Sequence, residues 1–112
     1  MPMAEEDGVH VTRAPSIADA FRFLERRWRW ETRFESSIMT MTEHPDYRAI
    51  VAFGWDVVPV MLRHLRATSA PGFWFPALRE ITGADPVRPE HRGDMAAMRE
   101  DWLRWADETG VP

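Results

Sequence analysis

Apolar residues recur at the spacing of one helix face in every long apolar segment of this chain. In the first and last of these segments they are Ile17, Phe21, Leu24 and Trp28, and Met95, Met98, Trp102 and Trp105. Steps of three and four residues fit the α-helical period and not the alternation of a β-strand. The spacing therefore predicts an all-α fold, a compact bundle of about five helices. Residues 15–112 are predicted to form a single helical domain.

Residues with known roles at helix ends divide the chain into predicted helices. Ser16 is a good N-cap, Pro45 suits a first helical position, and Gly54, Gly83 and Gly110 suit helix ends. Pro59 must lie in a first turn or kink its helix, and Pro76 is expected in a first turn. The predicted helices cover residues 17–34, 45–53, 55–66, 73–82 and 95–109, with 38–42 as a ragged continuation of the first.

The helix faces predict which side chains form the core. Leu62, Leu78 and Trp102 lie at the centres of three apolar faces. Phe23, Trp30 and Phe34 are expected to widen the apolar stripe of the first helix on one side. On the last helix, the residues expected to face water are Arg99, Glu100, Asp101, Arg104 and Asp107.

Composition excludes several classes of protein. The chain has 112 residues and no cysteine, which excludes disulfide scaffolds, thiol catalysis and cysteine-ligated zinc. No stretch approaches the roughly 18 apolar residues of a membrane helix. Residues 1–14 are predicted to be a disordered or loosely docked tail. They are acidic and show no secretory signal, so a cytoplasmic location is expected.

The middle of the chain resembles one unit of a HEAT-type helical repeat. The resemblance rests on residues 54–65, which read GWDVVPVMLRHL, and on residues 73–83, which read FWFPALREITG. HEAT-type units pair a helix that follows a glycine, often with an early proline, with a second helix that ends Ala-Leu-x-x-Ile-x-Gly. The resemblance implies one HEAT-like helix pair, and the flanking helices would have to cap it because an independent solenoid needs about three repeats.

The segment 44–110 also resembles a group of small uncharacterised bacterial proteins. The shared patterns are His-Pro-x-Tyr, Val-x-Pro-x-x-Leu-Arg-x-Leu, Ala-Leu-Arg-x-Ile-Thr-Gly-x-x-Pro-Val and Trp-Leu-x-Trp. In this chain they begin at His44, Val58, Ala77 and Trp102. This second resemblance implies a fold and no particular reaction.

The sequence contains no recognisable catalytic, nucleotide-binding or metal motif. It has no GxGxxG, GxxxxGK[ST], HExxH, GxSxG or EF-hand pattern. No two of His44, His64 and His91 lie four residues apart on a predicted helix. No catalytic residue, cofactor or metal site is therefore predicted, and an enzyme with an unrecognised polar site is the third hypothesis for function.

Three consecutive aromatic residues on the fourth predicted helix suggest a contact patch. Phe73 and Phe75 lie about 100° to either side of Trp74, so a single core cannot cover both. At least one of the two is expected to be exposed or to cover a neighbour. With Trp55 and Arg79 they form the candidate partner-binding patch, because aromatic residues and arginine dominate interface hot spots.

A row of arginines on the first helix supports a second interpretation. Arg22, Arg26, Arg29 and Arg33 share one side of this helix, and all 14 basic residues of the chain are arginine. The leading hypothesis is a non-catalytic module that binds another protein or itself, of the regulator, adaptor, antitoxin or immunity type. The alternative is a nucleic-acid-associated protein that uses this arginine row, although interleaved glutamates and a net charge of −4 weigh against it. No membrane partner is expected.

Overall fold

The structure is a computed structural model that describes residues 16–112, so the predicted tail lies outside the described residues. These residues form six α-helices and three short 3-10 turns, without a strand, which confirms the all-α prediction. None of the helices in this part of the chain is long and apolar enough to cross a bilayer. The helices are α1 (Ile17–Glu31), α2 (Ile38–Glu43), α3 (Pro45–Ala52), α4 (Val58–Ala67), α5 (Phe75–Thr82) and α6 (Met95–Thr109).

Most predicted helix ends are confirmed by their capping contacts. The Ser16 hydroxyl accepts a hydrogen bond from the Asp19 N–H at 3.1 Å, and α3 begins at Pro45. Asp94 caps α6 in the same way as Ser16 caps α1. Gly83 ends α5 with a φ of 73°, a left-handed conformation that costs glycine little.

The first predicted helix is too long. Helix α1 ends at Glu31 rather than Phe34, and residues 38–43 form a separate helix instead of a continuation. At the end of α1 the Thr32 hydroxyl donates to the Trp28 carbonyl at 2.7 Å. Ser37 then caps α2 by accepting a hydrogen bond from the Thr40 N–H. Side chains that bond the local backbone therefore create the break, which an apolar pattern does not report.

Two helices begin later than predicted, and in both cases a proline fixes the start. Pro59 and Pro76 lie in the first turns of α4 and α5. The residues before each helix form 3-10 turns, at Gly54–Val57 and Pro71–Phe73. A proline in the first turn loses no helical hydrogen bond, so neither helix is kinked.

Aromatic rings form the centre of the core. Trp28 of α1 lies 5.5 Å from Tyr47 of α3 and 5.3 Å from Trp74, measured between ring centroids. Tyr47 stacks on Trp74 at 5.0 Å, and its hydroxyl donates to the Phe73 carbonyl. The residues placed at the centres of predicted faces are buried as expected, namely Leu62, Leu78 and Trp102.

The prediction that Asp101 faces water is wrong. Its side chain is buried where α6 meets the loop before it. The carboxylate accepts hydrogen bonds from the Arg88 N–H at 3.1 Å and from His91 Nδ1 at 2.7 Å, and it pairs with Arg104. Burial alone would raise the pKa of Asp101, but these contacts lower it to about 2. The charge therefore holds the loop 83–94 on α6.

Candidate interaction surface

Exposed large apolar side chains concentrate in one part of the described chain. Residues 16–112 expose seven such side chains, and five of these lie between residues 23 and 39. The five are Phe23, Trp30, Phe34, Ile38 and Met39. Isolated exposed apolar residues are ordinary, but residues that line a depression together mark a contact surface. Phe23 and Trp30 share such a depression, whereas Met39 lines none of the clefts described below.

Phe23, Trp30 and Phe34 do not widen the core stripe of α1, so that expectation is wrong. They are 60%, 65% and 90% exposed. At about 100° per residue, Phe23 and Trp30 are turned by about 200° from Phe21 and Trp28, which places them opposite the core. The two-residue step from Phe21 to Phe23 and from Trp28 to Trp30 is the sequence signal that indicates this surface. We call this side of the molecule the α1 face, defined by Arg22, Phe23, Arg26, Trp30, Arg33 and Phe34.

The arginines of the predicted row differ in their partners. Arg22 pairs with Asp19, and Arg29 pairs with the buried Glu25 at 2.7 Å. Within residues 16–112, Arg26 and Arg33 form no ion pair. Two of the four predicted arginines are thus neutralised locally, and two can accept a carboxylate or a phosphate from outside.

Arg33 holds the two most exposed rings of the α1 face. Its guanidinium carbon lies 3.7 Å from the centroid of Trp30 and 4.7 Å from that of Phe34. Arg33 also donates a 2.6 Å hydrogen bond to the Trp30 carbonyl. These contacts restrain long side chains before any partner arrives, which lowers the entropy cost of binding.

Two open clefts run along the α1 face. One of about 470 Å³ is lined by Arg26, Trp30, Arg33 and Phe73, among others. The next, of about 560 Å³, also includes Arg26 and Trp30 and extends to Phe23. Trp30 therefore lies between two depressions, so a partner could contact both faces of its ring.

The structure divides the predicted contact patch. Trp55 is exposed, but it packs against Trp105 with 6.4 Å between ring centroids and does not line the cleft that the other members share. Phe73, Phe75 and Arg79 do come together, in a third cleft. Phe75, the first residue of α5, is buried, so it belongs to the core and not to an exposed patch. Phe73 is half-buried.

This third cleft, called the apolar cleft below, has a volume of about 410 Å³. It lies among the starts of α2, α5 and α6 and the turn before α5. Phe73 also lines a cleft of the α1 face, so the two clefts adjoin at this ring. The lining residues used below are Ile38, Phe73, Arg79, Met95 and Met98.

Glu31, His44 and Asp46 bring three potential metal ligands within 4.8 Å of one another. Their atoms are already engaged with each other and with the backbone. His44 Nδ1 accepts from the Asp46 N–H at 3.0 Å, and its Nε2 lies 2.7 Å from Glu31. Both Asp46 oxygens accept from Arg27, at 2.6 and 2.8 Å. The group therefore caps α3 and ties it to α1.

The pair of His91 and Asp101 resembles the arrangement that orients a catalytic histidine. The Asp101 carboxylate also pairs with Arg104 and accepts a hydrogen bond from the Arg88 N–H of the loop, so it stabilises the loop against α6. None of the three clefts described above is lined by His91. The enzyme hypothesis therefore gains no specific support from this pair.

No protein-family model, curated protein or solved structure matches this chain. The resemblances to a HEAT-type repeat and to small bacterial proteins stay predictions.

Proposed function

We propose that this protein is a non-catalytic interaction module that binds another protein through the α1 face. The observation that carries the proposal is the exposure of Trp30 and Phe34 beside Arg33, with Arg26 unpaired within the described residues. The HEAT-like helix pair α4–α5 belongs to the proposal as the scaffold behind this face. A cytoplasmic location belongs to it as well and rests on the sequence alone.

The chemistry of the face suits an interface anchor. Tryptophan and arginine are the residues most enriched among hot spots, and the best of them contribute 2 kcal/mol or more on truncation, as an order of magnitude. The Trp30 ring already carries the Arg33 guanidinium, so a partner would bury a preorganised pair. A partner that brings carboxylates would complement Arg26 and Arg33.

Replacing Trp30 by alanine is expected to weaken partner capture strongly without unfolding the protein. The tagged protein is used as bait in a lysate of its native cells, and bound proteins are quantified by mass spectrometry. A specific partner should bind the wild type and fall by about tenfold or more with Trp30→Ala. Trp55→Ala is the matched control, because Trp55 is also exposed but lies off the α1 face.

Two results would contradict this proposal. One is a partner set that Trp30→Ala and Phe34→Ala leave unchanged. The other is a partner that is lost equally with the Trp55→Ala control. If the captured protein is a second copy of the chain, sedimentation of the purified wild type and of Trp30→Ala decides whether the same face forms a dimer.

Nucleic acid is the second candidate ligand, because Arg26 and Arg33 flank an exposed tryptophan. Arginines can contact phosphates while a base stacks on the ring. If this is correct, labelled single-stranded RNA or DNA should bind at low salt, and its affinity should fall steeply toward physiological salt. Fluorescence anisotropy at two ionic strengths measures this.

The charge-reversed double variant Arg26→Glu with Arg33→Glu should abolish such binding. The ion pairs of Arg22 and Arg29 lower the charge that the face offers to phosphate. Absence of binding even at low salt would remove the nucleic-acid alternative and leave the protein-binding proposal in place.

A further inference from the structure

The apolar cleft combines an apolar surface with one unpaired cation. Its walls include the exposed side chains of Ile38 and Met95, which begin α2 and α6. Met98 and Phe73 line it farther in and are half-buried. Methionine side chains are flexible and polarizable, so they adapt to apolar groups of different shape.

Arg79 supplies the charge at the rim of the apolar cleft. It is exposed, and no ion pair within residues 16–112 includes it, although Asp85, whose pKa is lowered chiefly by its hydrogen bond with Arg92, also feels the charge of Arg79. A neighbouring arginine of the same part of the fold, Arg48, is by contrast paired with Glu80. A ligand that enters the cleft therefore finds an apolar wall and a guanidinium ready for a carboxylate.

The apolar cleft adjoins a cleft of the α1 face, and this arrangement favours an extended ligand over a compact one. Phe73 is shared by the apolar cleft and the neighbouring cleft of Arg26, Trp30 and Arg33. Both depressions are open to solvent. The apolar cleft is lined by Arg79 and its neighbour by Arg26 and Arg33, none of which forms an ion pair within residues 16–112, although Glu35 also lines the neighbouring cleft. An extended chain of alternating apolar and acidic groups can follow them, whereas a compact small molecule would occupy only one.

We propose that the apolar cleft binds an acidic peptide segment of a protein partner, with an apolar side chain between Ile38 and Met95 and a carboxylate on Arg79. This inference deepens the proposed function and rests on it. The occupant is identified by charge complementarity with the arginines of the two clefts and by the position of these clefts side by side. Recognition of this kind places apolar anchors in a groove and uses charge to set orientation.

The test is a selection of random short peptides displayed on phage against the immobilised wild-type protein. Enriched sequences are expected to carry leucine, phenylalanine, tryptophan or methionine next to aspartate or glutamate. Selected peptides are then synthesised, labelled and titrated against variants by fluorescence polarisation. Ile38→Glu and Arg79→Glu should each weaken binding by about tenfold or more.

Each variant has a control that makes the same chemical change nearby. Met39→Glu adds the same charge one residue further along α2, at a side chain that does not line the apolar cleft. Arg66→Glu reverses an exposed charge on α4, outside the three clefts. Both controls should bind the selected peptides within about twofold of the wild type. Circular dichroism of each variant verifies that the helices are intact.

The outcomes separate this inference from the proposed function. Peptides that bind Ile38→Glu and Arg79→Glu as tightly as the wild type, but are lost with Trp30→Ala, overturn the cleft assignment and leave the α1 face as the binding surface. Enrichment of basic peptides, or of none, overturns the cleft assignment, while capture of a folded partner still tests the proposed function. Loss with the cleft variants and retention with both controls supports the inference.

Discussion

Trp28→Ala is expected to lower the free energy of unfolding by about 3–5 kcal/mol, as is typical when a large buried ring is removed. Trp28 is completely buried and contacts the rings of Tyr47, Phe73 and Trp74. Its indole N–H also donates a 2.7 Å hydrogen bond to the Met41 carbonyl, which the variant would leave unpaired. Urea denaturation followed by circular dichroism measures the change.

Trp30→Ala provides the matched control on the same helix. Trp30 is largely exposed, so its removal should change the free energy of unfolding by less than about 0.5 kcal/mol. If Trp28→Ala does not fold, Trp28→Phe keeps a ring and loses the N–H, with an expected loss of about 1–3 kcal/mol. A larger loss of stability with Trp30→Ala than with Trp28→Ala would show that α1 is turned the other way, and equal losses would contradict the difference in burial.

Asp101→Asn should destabilise the protein by about 2 kcal/mol at neutral pH, from the linkage between its pKa and folding. Burial opposes the charge, but hydrogen bonds from His91 and from the Arg88 N–H, with Arg104, lower the pKa of Asp101 from 3.8 to about 2. The folded state therefore binds its proton less tightly than the unfolded chain. The stabilisation is present above about pH 4 and is lost as the pH falls toward 2.

The pH dependence of unfolding isolates this contribution. Thermal unfolding of the wild type and of Asp101→Asn should differ most at neutral pH and converge near pH 2. Asp107→Asn is the control, because Asp107 is an exposed carboxylate on the same helix. A constant difference between wild type and Asp101→Asn across this range would mean that the Asp101 charge is not what holds the loop.

Helix type and most helix ends could be predicted because their causes are local. The caps at Ser16 and Asp94 and the left-handed Gly83 depend on neighbours within a few residues. The break after α1 was missed although it is also local. It depends on Thr32 and Ser37 bonding to the backbone, and such residues also occur within helices.

The surface was harder to predict because burial depends on what packs against a helix. The period of α1 places Phe23 about 200° from Phe21, but aromatic residues occur on both sides of this helix, so the pattern alone does not exclude that the core covers both. The burial of Asp101 was not predicted for a related reason. Its partners His91 and Arg88 come from a loop whose path over α6 has no sequence period. The predicted patch failed at Phe75 because this residue begins α5 at the end of the helix that packs into the core.

The six tryptophans give the protein two spectroscopically distinct reporters. Trp28, Trp74 and Trp102 are fully buried, so their emission should move to longer wavelength only when the chain unfolds. Trp30 and Trp55 are already in contact with water, and a soluble quencher such as acrylamide should reach them in the native state. A partner on the α1 face would shield Trp30 from the quencher and leave Trp55 accessible. Quenching of the native protein therefore follows association, while the emission maximum follows unfolding, in the same sample and without a label.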